Sequence, residues 1–75
     1  MNTKIVNIHT TTGKVIDLEI PTEISANMLI KAVYEALHMP GECPNYICCE
    51  NPITLLYGES PVSSFGLRDG SILHV

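Results

Sequence analysis

Three cysteines (Cys43, Cys48, Cys49) and three histidines (His9, His38, His74) are the side chains of this sequence best suited to hold a metal or to serve as nucleophile and base. The cysteines read C-x4-C-C. An iron–sulfur cluster held by C-x4-C-x2-C takes a fourth, distant cysteine, and the sequence has none. Cys48 and Cys49 are adjacent in a predicted strand, so they point to opposite faces and cannot readily share an ion. Cys49 is expected to be a small core residue instead.

His9 and His74 fall in the first and last predicted strands. Where those strands are parallel neighbours, both imidazoles project from the sheet face turned away from the helix. Cys48 on the adjoining strand then joins them in a row. Two imidazoles and a thiolate are three ligands of a tetrahedral Zn²⁺ site, with one position open, which makes His9, Cys48 and His74 the metal candidates. A working site also needs hydrogen-bond partners that orient each ligand. The reading adopted is that no metal or other cofactor is bound. The row belongs instead to a partner-binding face. Tyr46 and Ile72 lie on the same predicted face, and apolar surface rimmed by polar groups suits protein binding. The expected partner-binding residues are therefore His9, Tyr46, Cys48, Ile72 and His74.

No catalytic set emerges. Ser63, Ser64, the histidines and Asp69 show no nucleophile–base spacing. Asp17 and Glu19 are paired carboxylates on one strand face, where they are expected to be solvated. Gly13 and Gly70 are read as turn residues, because neither a P-loop nor G-x-G-x-x-G is present. The chain is expected not to be an enzyme.

Composition narrows the class further. Seventy-five residues are enough for one domain, 1–75, and a chain of this size buries only about 60% of its unfolded surface. A hydrophobic fraction of 45% with 16% charged residues is that of a globular protein. A formal charge of −4 with four Lys and Arg lacks the cationic footprint for nucleic acid or an acidic membrane surface. No apolar run approaches the ~20 residues of a spanning helix, and the opening residues have no apolar core of a signal peptide. The odd cysteine count fits a reducing compartment. A cytoplasmic protein without membrane insertion is expected.

The elements that must position these side chains are legible by period. Ser25 to His38 carries apolar residues at Met28, Leu29, Ala32, Val33, Ala36 and Leu37, the spacing of a helix with one buried side. Ser25 is the expected N-cap, Ile24 and Leu29 a hydrophobic staple, and His38 the last turn, with Pro40 and Gly41 as the stop. Lys4–Thr10 and Val15–Ile20 alternate with period two around a turn in which Gly13 takes positive φ, a β-hairpin. After a loop over 39–45, strands are expected at Tyr46–Glu50, Ile53–Leu56 and Ser71–Val75. One helical turn within Val62–Leu67 should aim Val62, Phe65 and Leu67 at the core. The order implies an α+β fold, a mixed sheet of four to five strands with one helix packed across one face, the last strand parallel to the first.

That order resembles ubiquitin and its relatives, the ubiquitin-like β-grasp proteins. Thr12 to Ile20 looks like ubiquitin's opening turn and second strand, and Ser71 to Val75 like its last strand. Phe65-Gly66-Leu67-Arg68-Asp69-Gly70 is similar to the stretch before the last strand of YukD-like proteins. These are small bacterial ubiquitin-like proteins associated with WXG100, or type VII, secretion. Tyr46 to Leu67 can be laid on that family without a gap. The resemblance implies a non-enzymatic protein-interaction module, a cytoplasmic accessory or regulatory component whose partner is a secretion-system protein. Conjugation or sulfur transfer of the ThiS or MoaD kind needs a tail ending in Gly-Gly, whereas this sequence ends at Val75 within a predicted strand. A carrier or modifier activated at its C-terminus is thus the alternative, and a metal-binding β-grasp protein a further one.

Overall fold

The computed structural model describes residues 2–75. Alternation sets the first two strands, β1 (Thr3–His9) and β2 (Val15–Pro21), which pair antiparallel from Thr3↔Pro21 to His9↔Val15. Thr10 and Lys14 close the hairpin, the Thr10 N–H donating to the Lys14 carbonyl over 2.9 Å. Gly13 in this turn has φ +88°, a conformation open to glycine because it has no Cβ.

The helix, α1, spans Ala26–Ala36. The Ser25 hydroxyl accepts from the Met28 N–H at 3.1 Å, as an N-cap should. Two more first-turn amides are bonded outside the helix: Ala26 N–H donates to Ser60 O and Asn27 N–H to Gly58 O. Asn27 also accepts from the Gly58 N–H and donates to Glu59, which pins the start of α1 to the chain that follows the fourth strand. At the other end the helix stops before His38. Leu37 is the C-cap, and His38 has φ +52°. The His38 N–H donates to Glu35 O and the Met39 N–H to Tyr34 O, the two bonds of a Schellman motif with histidine in the left-handed position.

The buried side of α1 differs from the one expected. Ala26, Leu29, Ile30 and Val33 are buried, whereas Met28, Ala32 and Ala36 are exposed. Apolar residues occupy most of the helix circumference, so spacing alone admits two overlapping sectors. Docking selects the one containing Ile30.

Three strands complete the sheet: β3 (Tyr46–Glu50), β4 (Thr54–Tyr57) and β5 (Ile72–His74). A single 3-10 turn at Val62–Phe65 buries Val62, and Phe65 and Leu67 pack on the same cluster. The sheet is mixed, ordered β2-β1-β5-β3-β4, with β5 parallel to β1 and antiparallel to β3. β4 starts one residue later than expected; Leu56 faces the core, and Ile53 lies in the preceding turn, 90% exposed. Sheet residues Val6, Ile8, Ile20, Ile47, Cys49, Leu56 and Leu73 meet Leu29, Ile30 and Val33 of α1 in one apolar cluster. The molecule is an α+β layer structure with one helix against a five-stranded mixed sheet. No helix among the described residues is long and apolar enough to cross a membrane.

Candidate functional site

Register decides which side chains share the outer face. His9 pairs with His74, and His74 with Cys48, so the three form a row across β1, β5 and β3. Val15 extends the row on β2 and Leu55 on β4. Ile72 stands two residues before His74 and Tyr46 two before Cys48, which puts all five expected partner-binding residues on one face. Their exposure is uneven: Tyr46, Cys48 and His74 are exposed, His9 and Ile72 half-buried.

Among the described residues the row is not arranged as a cation site. The His9 and His74 rings meet edge to face with centroids 5.4 Å apart, and His74 Nε2 is paired with Glu50 Oε2. Among the described residues no three His, Cys, Asp or Glu side chains are placed to hold a metal ion together. Strand spacing is the reason. β1 and β3 flank β5, so His9 and Cys48 spring from backbones about 10 Å apart, and zinc ligands must converge to about 2.0–2.3 Å from one point. With His74 committed to Glu50, the candidates His9, Cys48 and His74 are neighbours in a row without a common centre.

The cysteines separate as strand alternation requires. Cys48 is exposed and Cys49 buried, the Cys49 thiol donating to the Ile47 carbonyl. Burial pushes the Cys49 thiol up to about 11, from an ordinary value of 9.0, with a smaller push from Cys48 and an opposing hydrogen bond from the Leu56 backbone. A raised folded-state value means that the unfolded chain loses this proton first. Cys49 therefore favours the fold fully below pH 9, and that advantage declines as the pH climbs towards 11. The stability difference between the native protein and Cys49→Val should be flat to about pH 8 and then shift against the native protein. Urea unfolding at stepped pH measures this, and a difference unchanged at pH 10.5 would contradict it.

Sequence reasoning missed part of the face. Leu55 and Tyr57 of β4 also point outwards, 48% and 58% exposed, and with Tyr46 and Asn45 they line a shallow depression of about 270 Å³. Alternation did not single them out, because Leu56 on the opposite face of the same strand is equally apolar. No known protein family and no curated protein matches this chain in sequence. A second cleft, of about 440 Å³, lies between the hairpin turn and the end of α1, walled by Ile16, Tyr34, Leu37, Met39 and Val75. It holds no cysteine or histidine and was not foreseen. Val75 is tied to the sheet there by its N–H, which donates to the His9 carbonyl at 2.9 Å.

Charge on the outer face is of one sign. Asp17 and Glu19 project from β2 and Glu50 from β3, all exposed. None of the four basic residues stands with them: Lys4 pairs with Ile20 on the inward register, Lys14 is in the turn, Lys31 on the helix, and Arg68 donates to the Asn51 carbonyl.

Proposed function

We propose that this chain is a ubiquitin-like β-grasp interaction module of the YukD-like kind. It is non-enzymatic, cytoplasmic, and serves as an accessory or regulatory component of type VII (WXG100) secretion. It binds a protein partner through the outer sheet face at His9, Tyr46, Cys48, Ile72 and His74. The observation that carries the reading is the register: five residues distant in sequence fall on one face that combines exposed apolar side chains with polar ones. The hairpin–helix–strand order, with the last strand parallel to the first, is compatible with that fold, and the Phe65–Gly70 stretch supports the family.

Substituting Tyr46→Asp together with Ile72→Asp is expected to abolish capture of co-expressed WXG100 substrate or its membrane ATPase, at least tenfold by pull-down, with an unchanged circular dichroism spectrum. Both positions are on the outer face, Tyr46 exposed and Ile72 half-buried, so a charge there costs more in an interface than in the free protein. Undiminished capture means that another surface binds. Intact mass after incubation with ATP in cell lysate tests the carrier alternative: an adenylate or conjugate on the terminal carboxyl group would replace the adaptor reading.

A further inference from the structure

We propose that the outer sheet face receives an amphipathic helix of a partner protein, one bearing Lys or Arg on both sides of its apolar stripe. The inference rests on the partner-binding reading above and adds the chemistry of the partner.

Asp17, Asn7, Ile72 and Glu50 are consecutive register partners across β2, β1, β5 and β3. Three interstrand steps put the Asp17 and Glu50 backbones about 14 Å apart, and a helix with its side chains is about 10–12 Å across. Between these two carboxylate flanks run the β1 and β5 columns: Ile5, Asn7 and His9, then Ile72 and His74. Ile5 is 51% exposed and supplies apolar ground at one end of the track. Glu19, the register partner of Ile5, extends the acidic flank along β2. A helix lying along the two parallel strands meets apolar and imidazole surface beneath and carboxylates on either side, the helix-on-surface mode of recognition.

Charge complementarity selects this occupant over the others. A second copy would set three carboxylates against three more, with no Lys or Arg on either face and only the His74 ring beside Glu50, in a chain already at −4. A nucleic acid is repelled for the same reason.

The probe is a synthetic helical peptide about 18 residues long, roughly 27 Å at 1.5 Å per residue, with a Leu stripe flanked by Lys. Peptides with Gln or Glu in place of Lys serve as comparisons, each titrated into the full ¹⁵N-labelled chain. The Lys peptide should move amide resonances of Ile5–His9, Cys48–Glu50 and Ile72–His74. Its affinity should fall as salt shortens the screening length from about 10 Å at 0.1 M to about 3 Å at 1 M. Asp17→Asn with Glu50→Gln should weaken it roughly four- to ninefold, at about two- to threefold per exposed ion pair. Gln at position 50 retains an acceptor for His74, and circular dichroism reports the fold. Glu35→Gln with Glu42→Gln removes the same charge elsewhere and should leave affinity unchanged; an equal loss there overturns the proposal. Equal binding of the Gln or Glu peptide also overturns it, leaving the docking face intact. Shifts confined to Thr54–Tyr57, as for strand addition at the β4 edge, or self-association through the face in sedimentation, overturn it as well. A silent face with Tyr46→Asp/Ile72→Asp still blocking capture refutes the helix alone, and failure of both tests refutes the partner-binding reading too.

Discussion

Replacing Leu73 by alanine is expected to lower the unfolding free energy by about 3–5 kcal/mol. Leu73 has no exposed surface. It sits in the central strand, between Ile8 of β1 and Cys49 of β3, and packs in the same cluster as Leu29, Ile30 and Val33. Truncation removes apolar contact on the helix side and leaves a cavity that five strands and a helix cannot all move to close. A 75-residue domain holds on the order of 4–11 kcal/mol in all, at roughly 0.05–0.15 kcal/mol per residue. The variant should therefore be close to unfolding at 37 °C, and urea titration at constant m-value measures the loss. Ile53→Ala provides the contrast: at 90% exposure it should change stability by less than ~0.5 kcal/mol. Equal effects at the two positions would mean that the core is not where the burial pattern puts it.

Ser71→Ala is expected to cost about 1–3 kcal/mol, large for the loss of one oxygen atom. Ser71 is fully buried. Its hydroxyl donates to the Asn51 carbonyl at 2.6 Å and accepts from the Arg68 N–H at 2.9 Å, joining the turn after β3 to the turn before β5. Its own backbone continues the link, the Ser71 carbonyl accepting from the Asn7 N–H at 2.8 Å. Removing the hydroxyl leaves the part-buried Arg68 N–H without a partner, at a cost of about 1–3 kcal/mol, while the Asn51 carbonyl keeps only the longer bond from Arg68 Nε at 3.4 Å. Hydrogen exchange gives an independent reading. The Arg68 amide should lose protection in Ser71→Ala beyond what the change in global stability explains, and full retention of that protection would refute the role assigned to the hydroxyl.

These two positions also mark where sequence reasoning succeeds and where it stops. Leu73 is the centre of a short alternating segment, and its burial follows from period two once the segment is a strand. Ser71 looks like the first residue of the same strand. Its importance comes from Asn51, twenty residues away, which no local pattern connects to it. The candidate face divides in the same way. Cys48 and Cys49 were separable in the sequence because neighbours in a strand must point to opposite faces. Leu55 and Tyr57 were not, because both faces of this short strand carry apolar residues, Leu55 and Tyr57 on one and Leu56 on the other, so alternation alone does not say which is buried. The buried side of α1 failed for a related reason: with apolar residues at Met28, Leu29, Ile30, Ala32 and Val33, helical period constrains the sector only loosely, and the sheet chooses.

The sequence by itself determined the number and kind of elements, the hairpin, the Ser25 cap and the absence of a cationic footprint. All of these depend on residues within a few positions of one another or on composition. The row of His9, His74 and Cys48 was foreseen for parallel first and last strands, but only the tertiary structure decided that β5 lies between β1 and β3 in the register that forms it. It alone turned His74 to Glu50, away from a shared cation, and set Asp17 and Glu50 on opposite sides of Ile72. Those are outcomes of pairing between distant segments. Strand order and register minimise exposed apolar area and unpaired backbone over the whole molecule, so no single stretch of the chain encodes them.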